Sequence, residues 1–258
     1  MSRACLPGLA LAAVSLAAPA FAQTPPADAP RPYTFVAQWD VPRAQWGTWV
    51  SDFDKNTRPV LEKLAADGTL ISWGAYESVV HSPDGMTHGV WWGSLTYAGI
   101  EKARQELVKA SASSASLAAA TGHRDYFLRS LAGGGKPGTG SAAMLVSTFV
   151  VRPDQSQQWR QLFDKYNKTL YDDLVAKGTM LGYSLHAEDV HTDNPGGRFV
   201  VMVAPSAEGM DQARAAMDAV NAKRTPEERR TIGLQLDATM EPGTHRDIYA
   251  NVIRYWQK

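Results

Sequence analysis

The residues most able to do chemistry in this sequence are its histidines, which lie at positions 81, 88, 123, 186, 191 and 245. His123 and His245 are each followed directly by an arginine and an aspartate. An imidazole paired with a carboxylate can accept a proton, and a neighbouring guanidinium can hold an anionic group. His123, Arg124 and His81 are therefore the candidate catalytic residues, with either histidine as the base and Arg124 orienting the substrate.

The same triplets also allow a structural interpretation. A histidine, an arginine and an aspartate at the start of a strand can tie strand ends together through hydrogen bonds and ion pairs. His81 and His88 flank a predicted turn with Asp84 between them, so two imidazoles and a carboxylate could meet a metal there. Because no ligand motif surrounds them, we predict no metal site. The sequence also lacks the zincin, nucleophile-elbow, Walker and dinucleotide-binding motifs.

The tryptophans are distributed unevenly, since six of the eight fall between positions 39 and 92. Adjacent Trp91 and Trp92 must point to opposite faces of a strand. One interpretation is an ordinary core, because tryptophan buries a large apolar area. The other is an aromatic pocket for a planar or apolar small molecule. The residues predicted to line that pocket are Trp39, Trp73, Tyr76 and Trp92.

Pro59 lies inside the first predicted helix, where an interior proline removes a backbone hydrogen bond. A kink there would displace Asn56, Thr57 and Arg58 and open a cavity mouth, with Arg58 available to an anion. The alternative is that the helix ends near Thr57 and restarts.

The elements that must position these residues occur twice. Sliding the sequence by 110 positions aligns residues 36–103 with residues 146–213 without gaps. Phe53-Asp54-Lys55 then falls on Phe163-Asp164-Lys165, and His123-Arg124-Asp125 matches His245-Arg246-Asp247 after about twelve extra residues in the second copy. We predict a first repeat at 33–131, a Gly-rich linker at 132–142 and a second repeat at 143–258.

Within each repeat the pattern predicts strand, helix, strand, strand, helix, strand. Apolar residues spaced three and four apart mark the helices, and turn residues such as Ser82-Pro83-Asp84-Gly85 mark a hairpin. This order is the ferredoxin-like plan of two helices on one face of a four-stranded antiparallel sheet. The fold class predicted is α+β, with the two sheets packing as an α+β barrel.

The duplicated layout resembles the dimeric α+β barrel superfamily, with two units fused in tandem. That superfamily includes antibiotic-biosynthesis monooxygenase-like, EthD-like and chlorite-dismutase-like proteins. The resemblance implies cofactor-independent oxygenation or lyase-type chemistry on an aromatic substrate. A haem variant would resemble the chlorite-dismutase-like group and would need one histidine as axial iron ligand. No cofactor is predicted from the residues themselves.

Composition and the N-terminal sequence indicate which partners and which cellular compartment to expect. The 26 basic and 26 acidic residues balance, so no overall basic surface suits nucleic acid. Residues 1–22 read as a secretory signal, with Arg3, an apolar stretch and Ala20-Phe21-Ala22 as the cleavage site, followed by a Pro-rich spacer at 23–32. The only cysteine, Cys5, lies in that signal. We expect a periplasmic or secreted protein without disulfides and without membrane insertion after cleavage.

Three functions stay open. The first is an exported protein that binds a small apolar or aromatic molecule in the first repeat. The second is the enzyme that the resemblance implies. The third is a non-catalytic scaffold whose sheet edges assemble with other chains. The chain would be a monomeric pseudo-dimer or a homo-oligomer.

Overall fold

The computed structural model describes residues 31–81, 85–190 and 195–258. The predicted signal sequence, most of the Pro-rich spacer, parts of both hairpin turns and His191 lie outside the described residues. Within the described ranges, no helix is long and apolar enough to cross a membrane.

Each repeat contributes four strands. Those of the first repeat are β1 (Tyr33–Asp40), β2 (Ser72–Ser78), β3 (His88–Ser94) and β4 (Gly122–Gly135). Those of the second repeat are β5 (Gly138–Val150), β6 (Gly182–Val190), β7 (Gly197–Ala204) and β8 (Arg246–Gln257).

The helices follow the same repeat. In the first copy they are α1 (Trp46–Asp52), α2 (Arg58–Ala66), α3 (Tyr97–Ser111) and α4 (Ala115–Ala118). In the second copy they are α5 (Ser156–Phe163), α6 (Thr169–Lys177), α7 (Ala207–Ala222) and α8 (Pro226–Thr239). This order confirms the predicted α+β class and its tandem ferredoxin-like units.

The eight strands close into one antiparallel barrel in the order β1-β3-β2-β8-β5-β7-β6-β4. The pairs β2–β8 and β4–β6 join the sheet of one repeat to the sheet of the other. Buried side chains form one cluster under the helices of each repeat and a third cluster inside the barrel. Closure leaves no strand at an open edge among the eight, which removes the edge-pairing basis of the scaffold hypothesis.

Alternation along the strands separates neighbouring aromatic residues, as predicted for Trp91 and Trp92. Trp92 belongs to the cluster under the helices, whereas Trp91 packs inside the barrel. The Trp91 ring lies directly over Gly74, where an added Cβ would come within 2.2 Å of it. A glycine is therefore required at this point of β2, because any side chain would displace the indole.

The Gly-rich segment 132–142 is not a flexible linker, which corrects the prediction. Most of it continues β4 and β5, and only Lys136 and Pro137 lie between these strands. Gly133 and Gly134 pair with Ser184 and Tyr183 of β6, and a Cβ at Gly134 would approach the Tyr183 ring to 3.0 Å. The glycines thus allow a close approach of strands.

The first helix of each repeat contains a π-helical turn, at Phe53–Thr57 and at Asp164–Lys168. Because the second repeat has Thr169 where the first has Pro59, the proline is not the cause of the turn. The helix does not end at Thr57. Arg58 is also not available to an anion, because carboxylates of the protein already engage it. The Arg58 guanidinium lies 3.2 Å from carboxylate oxygens of both Asp54 and Glu62.

Candidate functional site

A cavity of about 440 Å³ lies in the first repeat, between the outer face of its sheet and the helices that cover it. Its walls come from β1, β3, β4, α1, the π turn, α3 and α4. The apolar lining residues are Phe35, Ala37, Trp39, Trp49, Phe53, Val90, Trp92, Leu107, Val108, Ala112, Leu117 and Ala118. The polar lining residues are Asp52, Asn56, Thr57, Arg104, Ser111, Ser114, His123 and Asp125. This volume is within the range of small-molecule sites, roughly 300–1,000 Å³.

Aromatic rings form most of the apolar wall, and they are held by one another. Phe35 stacks on Trp92 at 4.7 Å between ring centroids, and Trp49 stacks on Phe53 at 5.9 Å. The Trp92 indole N–H donates to the Ile100 carbonyl at 3.3 Å, which fixes the ring. The cavity therefore presents ordered aromatic surfaces to a ligand.

His123 and Asp125 form the polar pair at the rim. They are two residues apart on β4, so their side chains share the face that looks toward the helices. His123 Nε2 lies 3.1 Å from Asp125 Oδ1, and the imidazole stacks on Trp39 at 5.2 Å. When Nε2 carries the hydrogen and donates a hydrogen bond to the carboxylate, Nδ1 keeps a lone pair that can accept a proton.

Burial raises the pKa of Asp125, and the nearby charges of His123 and Arg104 partly offset this. Arg104 is held by Glu101, because its Nε and one terminal nitrogen each donate to a Glu101 oxygen at 2.8 Å. The guanidinium at the rim is thus shared between Asp125 and Glu101, a carboxylate outside the lining.

Asp52 fastens the short helix α4 to α1. Its Oδ2 accepts hydrogen bonds from the hydroxyls of Ser114 at 2.7 Å and Ser116 at 2.9 Å. Burial opposes ionisation of Asp52, but these hydrogen bonds prevail and its pKa is lowered overall. The cavity therefore contains a second acidic side chain, on the side formed by α1, and the lowered pKa of Asp52 favours its carboxylate form.

The second repeat carries the same histidine–aspartate pair, but that pair does not line the cavity of about 620 Å³ found there. The lining of this second cavity is mainly polar and consists of Asp154, Gln157, Gln158, Gln161, Leu162, Lys165 and Gln235. His245 Nε2 lies 3.3 Å from Asp247 Oδ1. By the repeat alignment, Trp159 matches Trp49, Phe149 matches Trp39 and Leu162 matches Asp52. The twelve extra residues form most of α8, which contacts α5 as α4 contacts α1. Leu236 of α8 packs with Met240 against the core there.

Only part of the predicted site is brought together. Trp39, Trp92 and His123 line the cavity, whereas Trp73 lies deeper in the same core and Tyr76 points into the barrel. Trp73 and Tyr76 are three residues apart on one strand, so they cannot share a face.

Three further predicted residues lie away from the cavity. Arg124 lies on the opposite face of β4 from His123, with a terminal nitrogen 3.4 Å from the Tyr126 hydroxyl. His81 bonds the Ser78 carbonyl through Nε2 at 2.8 Å and packs its ring against Trp46. Arg58 is engaged by Asp54 and Glu62 as described above.

Sequence reasoning missed Asp52 and Arg104. It expected Asn56 and Thr57 at a cavity mouth, and both line this cavity. For Asp52 a signal exists, because it stands where the second repeat has an apolar leucine. For Arg104 none exists, since an arginine also stands at the matching position 214.

Metal and haem ligation can be tested against these residues. Among the described residues no group of three histidine, cysteine or acidic side chains is placed to hold a metal ion, and Asp84 lies outside them. His88 is fully buried against Trp49 and does not line the cavity.

A haem does not fit this lining. Of the residues that line the cavity, His123 alone carries an imidazole, and that ring is bonded to Asp125 and stacked on Trp39. The anionic propionates would meet two carboxylates and an arginine that Glu101 already engages. We derive no step through a haem.

Comparison with known proteins identifies the architecture. No family model and no curated protein matches the sequence. A candidate monooxygenase from Lactobacillus acidophilus NCFM is similar with a TM-score of 0.61 and 12% identity over 88% of this chain and 96% of that chain. One from Fusobacterium nucleatum subsp. nucleatum ATCC 25586 gives a TM-score of 0.64 and 12% identity over 88% and 95%.

A mutant chlorite dismutase from Candidatus Nitrospira defluvii gives a TM-score of 0.51 and 9% identity over 86% of this chain and 90% of that chain. At these identities the similarity shows the fold and not the activity. The chain has the fold of the dimeric α+β barrel superfamily, with two ferredoxin-like units in tandem.

Proposed function

We propose that the first repeat binds a small, largely apolar, ring-containing molecule in the cavity beneath α3 and α4. The observation that carries this proposal is the asymmetry between matched repeats. An aromatic-lined space of about 440 Å³ opens beneath α3 and α4 of the first repeat, while the longer α8 packs against the core of the second. An apolar pocket with a few polar groups is the usual form of a small-molecule site.

The test uses a neutral planar probe and a pair of adjacent alanines. Ala118 lines the cavity and is exposed, so Ala118→Trp should block the space without disturbing the buried core. Ala119 is the next residue, is also exposed and lies outside the lining, which makes Ala119→Trp the matched control. Titration of 2-naphthol, followed by calorimetry, should give saturable binding to the wild type and to Ala119→Trp and at least ~10-fold weaker binding to Ala118→Trp. Equal binding to all three proteins, or none to the wild type, would refute the proposal.

The second candidate function is catalysis, and the His123–Asp125 pair at the cavity rim favours it. His123 would remove a proton from an acidic C–H or O–H of the bound ligand, with Asp125 stabilising the imidazolium that forms. With dioxygen as the oxidant, an activated CH₂ group would become a carbonyl. One oxygen atom would enter the product and the other would leave as water with the two hydrogens. The candidate monooxygenase neighbours support the choice of this reaction class but do not establish it.

The repeat supplies the control for catalysis. Dioxygen uptake would be measured with a panel of hydroxylated polycyclic compounds that carry an activated ring CH₂ group, using His123→Gln and His245→Gln. Uptake that depends on a compound in the panel, falls at least ~100-fold in His123→Gln and is unchanged in His245→Gln would support catalysis, since general base catalysis typically contributes about 10²–10⁴-fold. Binding without any uptake would leave the protein a binder.

Export is proposed on the composition of residues 1–22 alone. Expression of the full chain in a Gram-negative host, followed by N-terminal sequencing of the periplasmic fraction, should find Gln23 as the first residue. Protein that retains Met1 and stays in the cytoplasmic fraction would contradict export.

A further inference from the structure

The charges that line the cavity are predominantly negative. Asp52 and Asp125 face it from α1 and β4, and Arg104 is the cationic side chain among its lining residues. Two nitrogens of Arg104 already donate to Glu101, so its positive charge is shared with a third carboxylate. An anionic ligand would therefore enter a site with little uncompensated positive charge.

The aromatic walls, like the carboxylates, present negative charge to the cavity. Rings of Phe35, Trp39, Trp49, Phe53 and Trp92 line the space. The face of an aromatic ring carries partial negative charge and attracts an ammonium group, more strongly when the pair is desolvated. Tryptophan is the strongest of these partners, and three of the five rings are indoles.

Asp125 lacks a full compensation for its charge. It is paired with His123 and lies near Arg104, and burial raises its pKa in spite of both neighbours. A cation in the cavity would stabilise the carboxylate form by adding an opposite charge nearby. The two arginines that the sequence suggested for anion binding, Arg58 and Arg124, do not line the cavity.

From this combination we infer that the ligand is an organic cation, namely an aromatic or bulky amine or a quaternary ammonium compound. The inference rests on the proposed function, because it assigns a chemical class to the same cavity. It reverses the sequence-based expectation of an anionic group, since carboxylates and indoles line the cavity and neither Arg58 nor Arg124 does.

Three para-substituted phenols test the charge directly. The (4-hydroxyphenyl)trimethylammonium ion and 4-tert-butylphenol have the same shape and differ in charge, and 4-hydroxybenzoate supplies the anion. Calorimetric titration of the wild type at low salt should give a dissociation constant at least ~10-fold lower for the cation than for its neutral isostere, with the benzoate weakest. Raising the salt concentration should weaken the cation and leave the neutral compound unchanged.

Substitutions of aspartates test whether the preference for the cation arises in the cavity. Asp52→Asn and Asp125→Asn should each reduce the preference for the cation over its isostere by ~3-fold or more, and Asp247→Asn in the second repeat should not change it. Folding of each variant is checked by urea denaturation, and the comparison of the two isosteres on the wild type stands without any variant.

The outcomes distinguish a failure of the charge inference from a failure of the proposed ligand site. If 4-tert-butylphenol binds as tightly as the cation or more tightly, the cavity binds ligands and the charge inference is overturned. If the benzoate binds best, the inference is likewise wrong. If Ala118→Trp leaves binding of all three compounds unchanged, or if none of them nor 2-naphthol binds, the proposed function itself fails.

Discussion

At the scale of single residues, the two histidine–aspartate pairs are nearly identical in geometry and differ in surroundings. The Nε2–Oδ1 distances are 3.1 Å and 3.3 Å, and all four side chains are about half exposed. His123 stacks on Trp39 at the cavity at 5.2 Å, while His245 lies edge-on to Phe149 at 6.5 Å. The pair can thus serve both strand ends structurally, while in the proposed function only the copy at His123 contacts a ligand.

Alanine substitution separates these roles. Because exposed ion pairs contribute ~0–1 kcal/mol, His123→Ala and His245→Ala should each change the free energy of unfolding by less than ~1 kcal/mol, measured by urea denaturation at pH 7. Binding of 2-naphthol should weaken in His123→Ala alone. A loss above ~2 kcal/mol in both variants with equal ligand binding would favour the purely structural interpretation.

Two buried histidines make stability depend on pH. Burial lowers the pKa of His186 to about 4 and that of His88 to about 4, with a smaller contribution from His81 in the second case. Both are near 6.5 in the unfolded chain, so between these values the unfolded chain binds more protons and stability falls as the pH drops. Each histidine should lower the free energy of unfolding by on the order of 3 kcal/mol when the pH falls from 7 to 4.

His186→Gln tests this dependence, because the amide can replace the bond from Nε2 to the Ser184 hydroxyl, at 2.8 Å, without titrating. Urea denaturation at pH 7.0 and pH 4.5 should show a smaller loss of stability on acidification in the variant than in the wild type. Identical losses in the two proteins would contradict the assignment of His186 as a buried neutral imidazole.

At the scale of elements, glycines decide how closely the strands and aromatic rings approach. A Cβ at Gly74 would overlap the Trp91 ring, whereas a Cβ at Gly233 of α8 meets nothing within 4 Å. Gly74→Ala should therefore destabilise the protein by ~1–3 kcal/mol through overpacking. Gly233→Ala should stabilise it by ~0.5–1 kcal/mol through helix propensity. Thermal unfolding of both variants checks this, and no loss in Gly74→Ala would show that the indole has room to move.

Much of the fold follows from local patterns. Alternation and three-to-four spacing located the strands and main helices, because they record which face of each element is buried. The duplication then indicated the tandem barrel. Helix α8 was missed although Thr225-Pro226-Glu227-Glu228 has the form of a capping box, which the structure contains. The Gly-rich strand ends were misread because glycine is common both in loops and where strands approach closely.

The residues of the site were harder to predict than the fold, because packing of the helices on the sheet decides which side chains come together. Residue types suggested aromatic walls and a histidine base, and Trp39, Trp92 and His123 do meet. Grouping His123 with Arg124 ignored that adjacent strand residues point to opposite faces. Asp52 and Arg104 reach the cavity from helices whose placement on the sheet is a tertiary property.

At the scale of the whole molecule, one closed barrel carries two helical layers that share a plan and differ in one insertion. In the first repeat, the four-residue α4 is held by Asp52 at the edge of the cavity. In the second, the 14-residue α8 packs Leu236 against the core. Duplication thus supplies a stable frame twice, and the shorter connection leaves an aromatic-lined space in the first repeat, whereas the cavity of about 620 Å³ beside α5 in the second repeat is lined mainly by polar side chains.

The most direct test of this account is fluorine NMR of protein labelled with 5-fluorotryptophan, titrated with 2-naphthol and assigned by single Trp→Phe substitutions. Trp49 and Trp159 occupy matching positions in the two repeats, and only Trp49 lines the cavity. We predict that the resonances of Trp39, Trp49 and Trp92 shift saturably with one dissociation constant while that of Trp159 stays in place. Saturable shifts at Trp159 without any at Trp49 would contradict a ligand site in the first repeat.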